Sequence, residues 1–134
     1  MADRLKLRVV TPVNPVIDDE VDEVVIPGEL GEFGVLPGHT PLISILEPGE
    51  LAYKKGGVEK SIFIEGGIAD VRDDLVNVLA DNVISSEDVD YEAARKEAEG
   101  ILEELKSFGE RKKEFKALEK RLKIAELKLR IKRT

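Results

Sequence analysis

The chain has 134 residues, of which 42% are hydrophobic and only 4% aromatic, and its formal net charge is −7. This length suits one domain, or one domain with an appendage. The lack of Cys excludes disulfides, thiolate zinc sites and Cys nucleophiles, and the single His excludes a multi-histidine metal site. The low aromatic content and the net acidity argue against a nucleic-acid partner. Because no apolar run approaches about 18 residues and the N-terminus lacks a hydrophobic signal segment, we expect a soluble intracellular protein.

Charged and turn-forming residues are distributed unevenly along the chain. Residues 1–90 carry 7 basic and 19 acidic side chains, whereas residues 105–134 carry 12 basic and 4 acidic ones. All six Pro lie before position 49. We therefore predict a turn-rich N-terminal domain over residues 1–85 and a charge-dense C-terminal domain over 86–134, with the boundary near Ser86.

Short apolar runs separated by turn residues characterise the N-terminal part. Leu5, Leu7 and Val9 alternate with polar neighbours, as in a half-buried strand. Later runs are bounded by turn signals such as Gly56-Gly57 and Asp73-Asp74. This pattern predicts an all-β sandwich or barrel. Gly66-Gly67 is expected to form a turn or bulge, where two backbones approach closely.

The C-terminal part predicts two helices. One apolar stripe begins at Ala94 and a second begins at Phe115, both with heptad-like spacing of three and four residues. A short connection around Gly109 favours an antiparallel helical hairpin. The second helix carries a further apolar flank, Ile124, Leu127 and Ile131. This flank packs either on the β-domain or on another protein, and we expect contact with the sandwich.

Few residues suggest chemistry. His39 lies in a Gly- and Pro-rich segment, 31–42, that holds no nucleophile and no phosphate-binding motif. We favour a backbone partner for His39 at a loop corner over a role as a general base. The acidic run Asp18-Asp19-Glu20 lacks the spacing of a calcium loop and is expected to form a solvated edge, so no metal site is predicted.

The second helix is strongly basic, and this admits several partners. Nucleic acid, anionic lipid or an acidic protein could face it, and a solvated surface with i,i+4 ion pairs is the simplest alternative. Because the bases greatly outnumber the acids, we favour an acidic protein partner. The basic residues of interest are Lys112, Lys113, Lys116, Lys120, Arg121 and Lys123.

The chain also resembles a known family, the epsilon subunits of the rotary F-type ATP synthase. The resemblance lies in Gly31-Glu32-Phe33-Gly34-Val35-Leu36-Pro37-Gly38-His39-Thr40-Pro41-Leu42, in Glu65-Gly66-Gly67-Ile68-Ala69-Asp70-Val71, and in Arg121-Leu122-Lys123-Ile124-Ala125-Glu126. It implies a ten-stranded β-sandwich followed by an antiparallel two-helix hairpin. It also implies a non-catalytic subunit of the central rotor that links the gamma subunit to the c ring, supports coupling of ion flow to ATP synthesis, and inhibits ATP hydrolysis through mobile C-terminal helices.

The resemblance assigns roles to individual residues. Glu32 falls where the family contacts the c ring, and His39 falls on a loop at the rotor interface with gamma. The basic helix faces an acidic motif of the beta subunits in the alpha- and beta-containing catalytic head. Some members bind ATP on the hairpin; here Asp90 and Arg121 match that site, but Ala93 replaces the motif's arginine, so we predict weak or absent ATP binding and no other cofactor.

Two further functions are weighed against this one. The first is a free-standing β-domain adaptor whose hairpin docks on an acidic partner protein. The second is a small enzyme using His39 and a carboxylate, for which we expect no turnover. The family resemblance favours a protein peripheral to the coupling membrane, on the cytoplasmic face of a bacterial plasma membrane, that meets the membrane only through its complex.

Overall fold

The computed structural model describes residues 4–84, 89–107 and 112–133, and the predicted boundary near Ser86 lies outside these residues. The chain separates into two compact units, residues 1–83 and 84–134. The strands are β1 (Leu5–Val10), β2 (Pro15–Val21), β3 (Glu23–Gly28), β4 (Gly31–Val35), β5 (Leu42–Leu46), β6 (Gly49–Lys55), β7 (Val58–Ile64), β8 (Gly67–Arg72), β9 (Leu75–Ala80) and β10 (Val83–Ile84). The helices are α1 (Tyr91–Ser107) and α2 (Lys112–Arg133).

The strands form one curled ten-stranded sheet, a β-sandwich. Its order is β10-β7-β6-β3-β5-β8-β9-β1-β2, with β4 paired to β3. From β7 to β2 in this order, and between β3 and β4, neighbouring strands are antiparallel except for β1 and β9, which are parallel, with Leu7 beside Val76. The predicted fold class, a ten-stranded β-sandwich followed by two helices, is confirmed.

The concave face of the curled sheet forms one hydrophobic core. The alternation of β1 places Leu5, Leu7 and Val9 inside, where each is at most 1% exposed. Val76 and Val78 of β9 meet them from the parallel neighbour. The period-two pattern therefore decides which side of each strand is buried, because successive side chains point to opposite faces.

Two hydrogen bonds and one ion pair connect the end of strand β2 with the end of β6. The Asp22 amide donates to the Lys54 carbonyl at 2.7 Å, and the Gly56 amide donates to Asp22 Oδ2 at 2.9 Å. Lys55 Nζ lies 2.6 Å from Asp19 Oδ2, and this hydrogen bond lowers the pKa of the Asp19 carboxyl below its ordinary value. Charged side chains thus occupy an edge that would otherwise offer unpaired backbone groups.

Two glycines allow the close strand approach that was predicted from the sequence. Gly66 and Gly67 have φ values of +121° and +144°, and the Asp81 amide donates to the Gly66 carbonyl at 3.0 Å. A Cβ at Gly67 would lie 2.2 Å from the Leu79 carbonyl oxygen. The absence of a side chain is therefore what permits β8 to pair with β9 here.

The two helices pack together in the C-terminal unit. Asp90 caps α1, because its Oδ1 accepts from the Ala93 amide at 3.1 Å and its carbonyl accepts from the Ala94 amide at 3.0 Å. Ala94, Ala98 and Ile101 of the predicted α1 stripe are buried. The connection around Gly109 lies outside the described residues.

Candidate partner-binding surfaces

An apolar row crosses the outer face of three neighbouring strands. Ile45 of β5 lies opposite Ile68 of β8, which lies opposite Leu79 of β9. These side chains are 59%, 46% and 57% exposed, and Ile43, two residues along β5, is 73% exposed. We call these four residues the apolar face. Single exposed aliphatic residues are ordinary, whereas contiguous apolar sets on adjacent strands are typical of partner-binding surfaces.

A tight turn leads from β4 towards β5 and carries the only His of the chain. The His39 amide donates to the Leu36 carbonyl at 3.1 Å, and His39 Nδ1 lies 2.6 Å from the Thr40 carbonyl oxygen. The expected backbone partner at a loop corner is therefore present. The turn forms one wall of an open depression of about 330 Å³, which Glu23 and Gly34 also line.

The opposite end of the sandwich is acidic. Residues 28–32, 46–49, 64–67 and 80–83 converge there, because Gly28 pairs with Gly31 and Leu46, Gly49 with Ile64, and Gly67 with Ala80. These four segments contain no basic residue. We call this set the acidic end. Its acidic residues are Glu29, Glu32, Glu47, Glu65 and Asp81.

Glu32 and His39 therefore lie at different ends of the domain. Glu32 is exposed in β4 beside the β3–β4 turn, opposite Pro27, whereas His39 follows the far end of that strand. Leu30, at the tip of the same turn, is fully exposed. The two residues therefore do not form one site, and the contact that each makes stays a prediction.

Several charged residues of the hairpin form ion pairs with one another. Arg95 lies 2.9 Å from Glu92 Oε2 and 3.3 Å from Glu99 Oε1, and these carboxylates raise the pKa of its guanidinium. Arg121 of α2 lies 3.8 Å from Glu97 of α1, which is an ion pair between the two helices. Both partners of this pair are about half exposed, so the pair adds little stability.

Comparison with known proteins decides the family. A family model described as "ATP synthase, Delta/Epsilon chain, beta-sandwich domain" matches residues 4–86. A protein named ATP synthase epsilon chain from Citrifermentans bemidjiense is 41% identical over 115 residues, covering 81% of this chain and 83% of its own length. A namesake from Geotalea uraniireducens is 46% identical over 104 residues, covering 78% and 75% of the two chains. The chain belongs to the epsilon subunits of the ATP synthase.

Solved structures agree with this assignment. A chain in the cryo-EM structure of the Euglena gracilis mitochondrial ATP synthase, described as OSCP/F1/c-ring in rotational state 1, matches with a TM-score of 0.80 and 26% identity. The match covers 95% of this chain and 80% of that one. A chain from the central stalk and c-ring of the Tetrahymena thermophila enzyme shares the fold alone, with a TM-score of 0.55 and 13% identity. Epsilon is a non-catalytic subunit of the synthase, as predicted.

The residues of the epsilon hairpin assigned to a degenerate ATP site already have structural partners. The Asp90 carboxylate caps α1, and Arg121 faces Glu97. In addition, Ala93 has no guanidinium with which to bind phosphate. Whether ATP binds stays a prediction, and these contacts lower the number of groups available for it.

The basic face of α2 is partly described. Lys116, Lys120, Arg121 and Lys123 are exposed, whereas the side chains of Lys112 and Lys113 lie outside the described residues. Exposed cations on one helix provide long-range attraction to an acidic surface, which salt screens. The partner of this face stays a prediction.

The apolar flank of α2 is buried. Leu127 and Ile131 are 1% and 3% exposed, and Ile124 is half-buried. Leu127 lies about 180° around the helix from Leu118, which is also buried. Two opposite faces of α2 are therefore shielded from solvent. The expected contact between the flank and the sandwich stays a prediction.

Neither a metal centre nor a membrane-spanning helix occurs in the described part of epsilon. Within residues 4–84, 89–107 and 112–133, no three acidic or His side chains are grouped as a cation would require. No described helix combines the length and apolarity needed to cross a bilayer.

Sequence reasoning missed the apolar face. The run Leu42-Ile43-Ser44-Ile45-Leu46 carries aliphatic residues at both odd and even positions. Aliphatic residues at both odd and even positions place apolar groups on both faces of a strand, and that signal was available. What the sequence could not supply was the register that aligns Ile45 with Ile68 and Leu79.

Proposed function

We propose that this epsilon subunit anchors in the central rotor, where its sandwich links the gamma subunit to the c ring and its hairpin restrains ATP hydrolysis. The observation that carries the proposal is the exposed apolar face. In this role the protein supports coupling of ion flow to ATP synthesis. It lies peripheral to the coupling membrane, on the cytoplasmic face of a bacterial plasma membrane.

The apolar face suits a lasting contact with gamma. Full burial of one aliphatic side chain contributes about 1.5–3 kcal/mol, so the four residues offer several kcal/mol. Association costs about 4–15 kcal/mol in lost freedom, so this face needs neighbouring contacts to hold a partner. The turn at 36–39 supplies such contacts, because Leu36 is 57% exposed beside His39.

A pair of charge insertions tests the apolar face. Ile68→Asp places a carboxylate in the middle of the row, whereas Val58→Asp alters a residue of similar exposure, 57%, on β7. We expect Ile68→Asp to weaken binding to the gamma-containing catalytic head at least tenfold, with Val58→Asp unchanged. Equal effects of the two variants, at equal thermal stability, would exclude this face as the anchor.

The acidic end suits the c-ring contact assigned to Glu32. The five carboxylates of the acidic end attract a basic surface, and the attraction falls as salt screens it. We expect Glu32→Lys to lower ATP synthesis driven by ion flow in the reconstituted complex while leaving ATP hydrolysis by the soluble head unchanged. Glu59→Lys, on β7, is the matched control. Loss of coupling in both variants would argue against a local contact.

The brake is assigned to the basic face of α2. Replacing Lys116, Lys120 and Lys123 by Gln in the full chain removes three charges but keeps the helix, since Gln and Lys have similar helix propensity. We expect weaker inhibition of ATP hydrolysis, most clearly at low ionic strength, and unchanged binding to the head. A chain ending at Asp88 lacks the hairpin and serves as the reference without inhibition. Undiminished inhibition by the Gln variant would refute the charge-based brake.

A further inference from the structure

The segment Leu36-Pro37-Gly38-His39 forms a type II β-turn. Pro37 stands at the second position, Gly38 at the third has φ +87°, and the His39 amide closes the turn onto the Leu36 carbonyl. Type I and type II turns differ by a flip of the central peptide, here the bond between Pro37 and Gly38. The direction of the Gly38 N–H therefore reports which turn is present, and the turn itself does not use this donor.

That donor is held by a residue 36 positions away. Asp74 Oδ1 accepts from the Gly38 amide at 2.7 Å, while the Asp74 carbonyl accepts from the Lys6 amide at 2.9 Å. A carboxylate is a strong acceptor for a backbone N–H. In the flipped, type I arrangement the Gly38 N–H would point away from this carboxylate. The hydrogen bond from Gly38 thus selects one of the two peptide orientations.

The β8–β9 turn that supplies Asp74 is strained. Asp73 and Asp74 have φ values of +51° and +58°, and they connect Arg72 to its partner Leu75 as a two-residue hairpin loop. Such loops favour Asn-Gly or Asp-Gly, because both positions require positive φ. Asp at position 74 costs free energy that Gly would not, because Gly adopts positive φ without strain. A Gly at this position would, however, lose the hydrogen bond from the Gly38 amide.

We propose that Asp74 is a positioning residue that fixes the Pro37–Gly38 peptide and so presents Leu36 and His39 to the partner subunit in one conformation. The inference rests on the proposed rotor-anchoring function, since it takes the 36–39 turn as part of the gamma contact. Pre-ordering a loop removes the entropic cost of ordering it at binding, which raises affinity without adding a contact.

Three full-length variants separate the hydrogen bond from the strain. Asp74→Asn keeps an acceptor oxygen and tolerates positive φ, Asp74→Gly keeps the turn but loses the acceptor, and Asp73→Gly relieves strain without touching the bond. Two quantities are measured: hydrogen exchange of the Gly38 amide by NMR, and affinity for the gamma-containing catalytic head. Thermal unfolding checks that all variants are folded.

In Asp74→Gly we expect about tenfold faster exchange of the Gly38 amide and about fivefold weaker binding. Asp74→Asn and Asp73→Gly should match the parent in both measurements. Unchanged exchange in Asp74→Gly would overturn the proposal, and so would faster exchange with unchanged affinity. Ile68→Asp in the same binding assay separates the two ideas: if it weakens binding while Asp74→Gly does not, the rotor anchor stands and the positioning role is wrong.

Discussion

Replacing Gly67 with Ala should destabilise the sandwich strongly, because the added methyl group would overlap backbone atoms of the neighbouring strand. Gly67 begins β8, pairs with Ala80 of β9 and has φ +144°. An added Cβ would lie 2.2 Å from the Leu79 carbonyl oxygen and 2.9 Å from the Ala80 Cα. Both obstacles are backbone atoms, so no side-chain rotation can relieve the overlap.

The cost can be estimated from two contributions. A residue other than Gly in this region of φ costs about 1–3 kcal/mol. Separating β8 from β9 far enough to admit the methyl group weakens the neighbouring backbone hydrogen bonds, each worth about 1 kcal/mol. The sum is about 3–5 kcal/mol. This is a large share of the free energy of unfolding of a typical domain, which is about 5–15 kcal/mol.

Urea unfolding followed by circular dichroism measures this loss, with Gly34→Ala as the matched control. Gly34 also lies in a strand, but it has no atom within 4 Å of an added Cβ, so its variant should change the free energy of unfolding by less than about 0.5 kcal/mol. A Gly67→Ala protein within about 1 kcal/mol of this control would show that the strands separate easily and that the steric reasoning fails.

Four smaller effects are expected. Lys55→Met should raise the pKa of Asp19 towards its ordinary value, observed by carbon NMR titration; because Lys55 lowers the folded-state pKa, its contribution is present at neutral pH and is lost in acid as that carboxyl protonates. Asp90→Ala should cost the hairpin about 1 kcal/mol in thermal unfolding and Asp90→Asn much less, because Asn also caps helices. Gly100→Ala should stabilise α1 by about 0.5–1 kcal/mol in the same assay, since nothing lies within 4 Å of the new Cβ. Millimolar ATP should leave the proteolysis pattern of the hairpin unchanged, and micromolar binding by calorimetry would contradict this.

Local patterns predicted local structure well. The alternation of Leu5, Leu7 and Val9 predicted a strand with one buried side, and all three are core residues. Gly66-Gly67 predicted a close backbone approach, which the structure contains. Both predictions depend on local properties, namely the two-residue period of a strand and the missing Cβ of Gly. Such properties involve only a few neighbouring residues, so the sequence reveals them directly.

Contacts between distant segments were not predictable in this way. Asp73-Asp74 was interpreted only as a turn, and nothing in its neighbourhood indicates a bond to Gly38. The apolar face likewise depends on strand register, which the curled sheet sets as a whole. On α2, periodicity identified the stripe that begins at Phe115 and the apolar flank, but it did not predict which of the two is more deeply buried. Leu127 and Ile131 of the flank are buried, whereas Leu122 of the stripe is half-buried.

The two units differ in a way that suits an anchor joined to a movable brake. The sandwich core is built from Leu, Val and Ile side chains on most of its strands, so its partial opening would expose a large apolar area. The α1 stripe instead contributes Ala94, Ala98 and Ile101, and the Arg121–Glu97 ion pair between the helices is half exposed. Small side chains and a screened charge pair lose little when exchanged for similar contacts elsewhere. The proposed function, in which the subunit stays bound to the rotor while its hairpin rearranges, requires this order of stabilities, because the reverse order would release the sandwich from its partners before the helices moved.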